Sequence, residues 1–494
     1  MVKKNVDLIG FTHNRDAHYK IISDEIFNLI NNYTNQEEIL PLYRYFETRY
    51  QLPKSVIEKK IRQYIARSYL LRSGKFDSKL HIKNTLKYVL RYGTLVLSLF
   101  FARRQSKVQK FKLIIDGIHA AHELNRFEKL LNLVGKENTL CVTRDIDIKQ
   151  EFSEAHIYNK KILHDLNLVD LLKSIVNEFF IGIWVVLKAS IRTKVNLFPA
   201  TLNIIYSYLS FRSIFMAYQA DFLIQERHYD TDPVKNYLFK QFGGIASTSI
   251  QKNIFQFDPM FFYTDIDVLF SLGDSGYEDF IKYDGRIAKI NPVGSMFMEH
   301  YWFGNKHNIK KKYDIVVLGI NTSNAYERLD SYNQFTDDYY SLYQWVSKLS
   351  IDNPEYNIVL KHHSSAGEDD IENRILAGSN VKVVDKSNNS YEAAFSSKVA
   401  VTYGSTMGYE LNAHGLPTFF IDPGGRCSFL PIKECDYIDK MRVESYDSFC
   451  LLMDKVLSKG EDVSAMRDVS SMWCLESSEV SDRIHSYFKN EKTT

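Results

Sequence analysis

The sequence predicts an α/β fold of two domains, each built around a parallel β-sheet. The chain has 494 residues, more than one ordinary hydrophobic core holds, so at least two domains are expected. Its composition, 45% hydrophobic and 25% charged, is that of a globular protein. Short apolar runs alternate with helical patterns along the chain, and this alternation is typical of βαβ units in a doubly wound sheet.

The first half of the chain contains strand-like runs and one basic, helical segment at about residues 37–112. A long helix-rich stretch follows the third run and ends near Tyr218. We expect the runs to form the sheet of a first domain, residues 1–303. In chain order they read VDLIGF, FKLIIDG, NTLCVTRD, ADFLIQERHYD, GGIASTSIQ, DVLFSL and RIAKINPVGS.

The second half alternates more regularly and predicts a second domain at residues 304–444. Its strand-like runs read YDIVVLGI, NIVLKHH, VKVVD, VAVTYGS and PTFFID. Helices predicted within residues 445–494 are expected to cross back over the first domain. Parallel sheets bind ligands beyond the carboxyl ends of their strands. The polar residues at these ends are therefore expected on one rim: Lys361, His362, His363, Ser364, Gly404, Ser405 and Thr406.

The stretch VAVTYGSTMGYELNAHG is the most informative part of this rim. A buried strand stops at Gly404, and Ser405 or Thr406 can cap a helix that ends at Gly415. A helix N-terminus with a hydroxyl beside it is a ready site for an anion such as phosphate. The alternative interpretation is a tight turn with a good cap and no ligand.

Basic residues are concentrated in one region of a nearly neutral chain. Residues 50–112 hold sixteen Lys and Arg against two acids, Glu58 and Asp77, so the remainder is acidic. Such a segment could contact anionic lipid headgroups or an anionic polymer, or could be an ordinary solvated helical face. Because no nucleic-acid-binding module accompanies it, we expect no nucleic-acid partner and rank lipid or an anionic carrier first.

The cysteines and the apolar runs indicate a cytoplasmic protein. The five cysteines show no metal-binding spacing, which suits a reducing compartment. The runs LVLSLFFA and FFIGIWVVL are too short to span a bilayer, and the first residues do not resemble a signal peptide. We therefore expect a cytoplasmic location, with peripheral contact to the cytoplasmic face of the inner membrane if the basic segment binds lipid.

Three motifs together resemble the GT-B glycosyltransferases, in particular bacterial transferases that use CMP-activated acidic sugars. The motifs are NPVGS before the inter-domain break, the pair VLKHHSS and VTYGSTMGYELNAHGLPTFF, and LIQERHYD in the first half. Similar families include sialyl-, polysialyl- and 3-deoxy-manno-octulosonate (Kdo) transferases of capsule and lipopolysaccharide assembly. The resemblance implies a GT-B-like α/β fold, with two Rossmann-like domains facing a cleft and a helical basic insertion in the first.

The chain departs from the pattern of these families at two positions. The pair His362-His363 stands where the families have His-Pro, so which histidine is equivalent stays open. Glu226-Arg227-His228 stands where the families have an acidic pair followed by Gly. This second departure leaves open which carboxylate is catalytic and whether the reaction inverts or retains.

The resemblance implies roles for individual residues. Glu226 is the first choice for the catalytic carboxylate, with Asp230 and Asp232 as rivals. His228 either binds the acceptor or caps its loop, and a structural ion pair of Glu226 with Arg227 is the alternative for the whole motif. Glu410 would accept a hydrogen bond from the ribose or a cytosine amine, or would be an ordinary helix residue. The donor would be held by Gly294, Ser295, Lys361, His362, His363, Ser364, Gly404, Ser405, Thr406 and Glu410.

Two Asp-x-Asp pairs raise the question of a metal. Asp265 and Asp267 precede an apolar run, which argues against a metal role, whereas Asp145 and Asp147 follow one. No further ligand pattern accompanies either pair, so neither a metal nor another cofactor is expected.

The sequence therefore predicts a glycosyltransferase of bacterial surface-polysaccharide synthesis that uses a CMP-linked acidic sugar and a glycan or lipid-linked acceptor. One alternative is a polymer transferase dependent on CDP-glycerol or a UDP-sugar. The other is a polysaccharide-binding or scaffold protein that retains a degenerate GT-B fold, as the altered acidic motif allows.

Overall fold

A computed structural model describes most of the chain. The described ranges are 37–70, 108–143, 156–159, 182–193, 195–228, 231–254, 263–275, 283–304, 309–319, 333–363, 369–385, 387–423, 441–458 and 472–492, with single positions in 24–35, 86–94 and at 281. The run VDLIGF, Asp145 and Asp147, Arg103 and Arg104, Asp230 and Ser364 lie outside the described residues.

The described residues form two β-sheets in which every neighbouring pair of strands is parallel. The first sheet has the order β3-β2-β1-β4-β5-β6-β7, and the second has the order β10-β9-β8-β11-β12-β13. The strands are β1 (Gln109–Ile118), β2 (Thr139–Thr143), β3 (His156–Asn159), β4 (Tyr218–Gln225), β5 (Ala246–Ile250), β6 (Asp265–Ser271), β7 (Arg286–Pro292), β8 (Tyr313–Leu318), β9 (Ile358–Lys361), β10 (Lys382–Val384), β11 (Ser397–Thr402), β12 (Thr418–Ile421) and β13 (Arg442–Val443).

Helices connect the strands and cover the sheets. In the described part of the chain they are α1 (Leu40–Tyr50), α2 (Lys54–Leu70), α3 (Ala121–Asn125), α4 (Glu128–Val134), α5 (Ile183–Thr193), α6 (Phe198–Ala217), α7 (Pro233–Gln241), α8 (Met296–Gly304), α9 (Asn333–Asp352), α10 (Asp370–Leu376), α11 (Ser390–Phe395), α12 (Thr406–Ala413), α13 (Tyr446–Leu457) and α14 (Val480–Glu491). Short 3₁₀ turns occupy Glu37–Ile39 and Lys136–Asn138.

The C-terminal segment returns to the first sheet. Phe488 of α14 stacks on Phe222 of β4 with ring centroids 4.3 Å apart. Arg483 Nη1 donates to the Val293 carbonyl at 2.7 Å, and the Leu475 N–H donates to the Leu272 carbonyl at 2.8 Å. Two doubly wound parallel sheets, followed by a final helix on the first, make the fold α/β with two Rossmann-like domains in a GT-B-like arrangement. The predicted fold class is thus confirmed.

The strands follow the apolar runs closely, because buried parallel strands read as continuous apolar segments. Every strand-like run that lies within the described residues coincides with a strand. The short strands β3 and β13 were not predicted. β3 lies at the edge of the first sheet and has four residues, HIYN, whereas β13 has two. Neither strand is long enough to show a recognisable pattern of apolar residues in the sequence.

Within the described part of the basic segment, three cations of α2 contact the protein itself, whereas Lys54 is exposed. Lys60 and Arg62 of α2 are buried, and Lys60 Nζ lies 2.7 Å from Asp232 Oδ2. Lys59 Nζ lies 3.4 Å from Asp265 Oδ2. These cations point at carboxylates of the first domain, so α2 cannot present them to a membrane. Among the described helices, none is both long enough and apolar enough to cross a bilayer.

The Lys60–Asp232 pair predicts an effect on stability. Burial alone would raise the pKa of Asp232, but Lys60, Lys235 and Ser207 outweigh it and lower this pKa to about 2. We expect Lys60→Met to lower the free energy of unfolding at neutral pH by about 2 kcal/mol, because it leaves a buried carboxylate without its main counter-ion.

Acid should erase this difference between Lys60→Met and the wild type. The pKa of Asp232 is lower in the folded state than its ordinary value of 3.8 in the unfolded state, so the ionised carboxylate stabilises the fold at any pH above 3.8. This contribution is lost as the pH falls toward 2. Urea unfolding of both proteins across this range measures the effect. A difference that persists undiminished at pH 2 would contradict the ion-pair explanation.

Candidate active site between the two sheets

Each sheet has one point at which the strand order reverses, and ligands of doubly wound sheets bind beyond the strand ends at such points. In the first sheet this point lies between β1 and β4, and Glu226 directly follows β4. In the second sheet it lies between β8 and β11, and Ser405 follows β11. The Ile254 N–H, beyond β5, donates to Thr406 Oγ1 at 3.0 Å. The two reversal points therefore face each other across the domain boundary.

Glu226 stands at the centre of a charged cluster at the first reversal point. Its side chain is 4% exposed. Arg126 Nη1 lies 3.3 Å from Oε1, Arg227 Nε lies 2.7 Å from Oε2, and Lys252 Nζ lies 3.5 Å from Oε1. Glu123 adds a second carboxylate through an ion pair with Arg227. Three cations thus surround two carboxylates, and the cluster carries a net positive charge.

The turn after β1 brings this cluster together. Gly117 has φ +100°, a backbone conformation that favours glycine, and it lies beside Glu226, whose Cβ would be 3.6 Å from a Cβ at this position. The Glu226 N–H donates to the Asp116 carbonyl at 3.0 Å. The His119 N–H donates to Glu123 Oε2 at 2.6 Å, and His119 itself is exposed at the end of β1.

Phe297 extends the cluster toward the second sheet. The Arg126 guanidinium lies 3.9 Å from the centroid of this ring and Lys252 Nζ lies 5.2 Å from it, both in cation–π geometry. Across the boundary, burial and the charges of Lys361 and Lys252 lower the pKa of His363. Lys252 belongs to the first domain and His363 to the second, so the electrostatic effect acts across the domain boundary.

The second sheet contributes a helix N-terminus and a histidine. Ser405 caps α12, and its Oγ accepts from the Met407 N–H at 3.2 Å. His362 is bonded through Nε2 to Glu372, whereas His363 is exposed. Of the two histidines, His363 is the more exposed. Lys361 is buried at the end of β9, and its Nζ donates to the His362 carbonyl at 3.3 Å. Gly404 is buried between β11 and the cap.

Three residues predicted to bind the donor contact other parts of the protein: Gly294 and Ser295 lie between β7 and α8, and Glu410 lies in α12. Ser295 Oγ is bonded to Glu410, and Tyr391 Oη donates to Glu410 Oε2 at 2.6 Å. Burial raises the pKa of Glu410. Both carboxylate oxygens thus have protein partners, which fits the alternative of an ordinary helix residue, and the contact to ribose or cytosine stays a prediction. A Cβ on Gly294 would lie 2.8 Å from Ser477 Oγ, so this glycine packs on the C-terminal segment and does not line an open surface.

Two polar residues of the LIQERHYD region support the backbone. Asp232 caps α7, accepting from the Val234 N–H at 3.0 Å, and also holds Lys60. Asp232 therefore has a structural role in the fold, and the catalytic role considered from sequence stays a prediction. His228 is buried, and its Nδ1 accepts from the Lys252 N–H at 3.1 Å, so the loop-capping alternative fits it. Burial and the charge of Lys252 lower the pKa of His228 to about 3.

Of the aspartates considered for a metal, the described pair Asp265 and Asp267 lies toward the opposite end of the first sheet. Asp265 opens β6, and its Oδ1 accepts from Arg286 Nε at 2.6 Å. Asp267 Oδ2 accepts from the Ser247 N–H at 2.8 Å. Both therefore serve ion pairs and hydrogen bonds away from the reversal points.

The sequence interpretation missed several members of the site: Glu123, Arg126, Lys252 and Phe297. One signal was available for the first two, because DGIHAAHELNR combines a glycine turn with polar residues directly after a buried strand. Lys252 and Phe297 carry no comparable signal. Lys252 becomes visible only when the strand order places β1, β4 and β5 side by side, and Phe297 only when α8 packs near Arg126.

Comparisons with known proteins leave the family of this chain open. No protein-family model matches, and no curated protein matches. Among solved structures, the chain is similar to the Neisseria meningitidis UDP-GlcNAc 2-epimerase bound to UDP-GlcNAc (10% identity, 77% of this chain and 100% of that one, TM-score 0.47). It is also similar to S. aureus MnaA with UDP (11% identity, 78% of this chain and 98% of that one, TM-score 0.46). A third similar structure is the wall teichoic acid polymerase TagF (12% identity, 85% of this chain and 99% of that one, TM-score 0.43).

Proposed function

We propose that this chain is a glycosyltransferase of bacterial surface-polysaccharide synthesis that moves a sugar from a nucleotide-linked donor to a glycan or lipid-linked acceptor. The observation that carries the proposal is the contact between the two reversal points. There, the Ile254 N–H, two residues after Lys252 of the charged cluster, donates to Thr406 at the capped N-terminus of α12. A cytoplasmic location, where nucleotide sugars are made, belongs to the same proposal.

The second domain would hold the donor phosphate at Ser405. The positive end of α12 attracts an anion, and the Ser405 hydroxyl can donate its proton while its oxygen accepts from Met407. His363 and Lys252 lie on either side of the domain boundary and supply further donors to the same phosphate. These groups stabilise the negative charge that develops as the bond between the anomeric carbon and the phosphate oxygen breaks.

The first domain would supply the acceptor side. The acceptor hydroxyl forms the new bond to the anomeric carbon and loses its proton to a base. We assign that base to Glu226, because it stands at the reversal point within the cluster. His119, exposed at the end of β1, is the nearest alternative in the described part of the chain.

The charge of the cluster supports an acidic donor sugar. Arg126, Arg227 and Lys252 outnumber Glu123 and Glu226, and their side chains are partly exposed. A sugar carboxylate bound here would neutralise the remaining positive charge, and Arg is well suited to bind a carboxylate through two hydrogen bonds. This favours a CMP-linked sugar such as Kdo.

A second candidate is a donor with two phosphates, as in a CDP- or UDP-linked compound. The observation that favours it is Lys252, which belongs to the first domain but acts on His363 of the second. The second phosphate of such a donor needs additional cationic neutralisation, and Lys252 could provide it. The two candidates share the same site and differ in the nucleotide.

A screen of nucleotides by thermal melting tests this proposal and separates the candidates. We expect CMP and CTP to raise the melting temperature more than UDP does, without any divalent metal. A nucleotide present at about 100 times its Kd stabilises the folded state by about 2.7 kcal/mol, which a melting experiment resolves easily. A larger shift with UDP, or one that requires manganese, would overturn the CMP assignment. No shift with any nucleotide would favour the scaffold alternative.

A further inference from the structure

Helix α5 exposes an apolar face that the candidate site does not use. Six exposed residues share this outward face, because they form adjacent pairs that recur every four residues along the helix. Its apolar members are Ile183 (40% exposed), Trp184 (66%), Leu187 (37%) and Ile191 (67%), and its cations are Lys188 and Arg192.

The opposite face of α5 holds the helix on the protein. Val186, Ala189 and Thr193 are buried there, spaced as one side of a helix requires. At the preceding Gly182, a Cβ would lie 2.9 Å from Tyr45 Oη of α1, so the helix begins in close contact with α1. The inward face thus fixes α5, and the outward apolar residues are not needed for that packing.

The composition of the outward face fits the surface of an anionic bilayer. Single exposed apolar residues are normal, but four on one helix face, with a tryptophan among them, mark an interaction surface. Tryptophan favours the interfacial layer of a membrane, and Lys and Arg beside it can reach lipid phosphates. The sequence of α5, IWVVLKASIRT, contains no acid that would oppose this contact. At eleven residues α5 is about 16 Å long, which suits a helix lying in the interface and not one crossing it.

The position of α5 relates this face to the reversal points. α6 follows α5 and runs directly into β4, since Tyr218 both ends the helix and begins the strand. The start of α6 therefore lies toward the carboxyl end of β4, where Glu226 stands. A hydrogen bond of 2.8 Å from Ser207 of α6 to Asp232, just beyond that strand end, fixes this orientation. α5 thus lies near the same end of the first sheet as the charged cluster.

We propose that α5 inserts its outward face into the interfacial layer of an anionic lipid bilayer and holds the first domain against it. This surface differs from the cations of α2, which point inward. It does not depend on the identity of the donor, so binding to vesicles can be measured without nucleotide or acceptor. Failure of this proposal would leave the nucleotide-binding proposal intact.

Vesicle co-sedimentation of the full chain tests the proposal. We expect the wild type to bind vesicles that contain phosphatidylglycerol and to bind purely zwitterionic vesicles less. The double substitution Trp184→Glu with Ile191→Glu should lower the vesicle-bound partition coefficient by about tenfold or more, because it removes two apolar anchors and adds repulsion. Leu451→Glu on α13 is the matched control, since Leu451 is 57% exposed on the second domain, and it should bind as the wild type does.

Tryptophan fluorescence reports on the same contact directly. Anionic vesicles should shift the emission of the wild type to shorter wavelength, and Trp184→Phe should lose most of that shift while keeping its vesicle binding. Unchanged melting temperatures would show that the variants are folded. Equal binding by the double variant, or no binding by the wild type, would overturn the proposal. A concentration-dependent dimer that the double variant loses would assign the face to a second copy and overturn it too.

Discussion

Glu226→Gln is expected to lower the turnover number by about 10² to 10⁴-fold, the range that a general base contributes, and to leave the affinity for donor nucleotide near that of the wild type. The substitution keeps the shape of the side chain and removes its charge and basicity. Arg126, Arg227 and Lys252 would then face one carboxylate less. Because breaking a buried ion pair also destabilises a fold, the melting temperature has to be measured alongside turnover.

Asp265→Asn provides a matched control for this experiment. Asp265 also belongs to the first sheet and also pairs with two cations, Lys59 and Arg286, but it opens β6 at the far end of the sheet. We expect this variant to lose stability and to keep its turnover number. If Glu226→Gln retained full turnover, Glu226 would be a structural anchor for the three cations, and the base would have to be sought at His119 or Asp230.

The sequence predicts the fold well because the information on the strands is local. Runs such as FKLIIDG and YDIVVLGI are apolar over their whole length, which a strand buried on both faces requires. The order of the strands is not local, since it results from pairing between distant segments. The basic segment shows the consequence. Lys60 reads as a surface residue until α2 packs beside Asp232, which is 172 positions away along the chain.

The site was predicted in part for the same reason. Ser405 was identified from a strand, a glycine and a capped helix in one short stretch, and the structure shows that cap. Glu226 was identified from its place after a strand. In contrast, Arg126 reaches Glu226 across 100 positions, and Lys252 reaches it across 26. Glu410 was predicted to bind the donor because the sequence around it does not indicate that its carboxylate is hydrogen-bonded to Ser295 and Tyr391.

In the proposed function, the capped N-terminus of α12 binds the donor phosphate. Ser405→Asp tests this directly, because aspartate caps a helix as well as serine does but places a negative charge beside the phosphate. Like charges a few ångströms apart in a partly buried site repel strongly, so we expect the affinity for nucleotide to fall by about 10²-fold or more. The same substitution at Ser445, which caps α13, provides the matched control.

The measurement is the dissociation constant of the nucleotide that stabilises the wild type most, determined by titration calorimetry for all three proteins. We expect undetectable or strongly weakened binding to Ser405→Asp, wild-type binding to Ser445→Asp, and similar melting temperatures for the two variants without ligand. Wild-type affinity in a folded Ser405→Asp protein would contradict the proposed phosphate site, because the donor phosphate would then lie elsewhere.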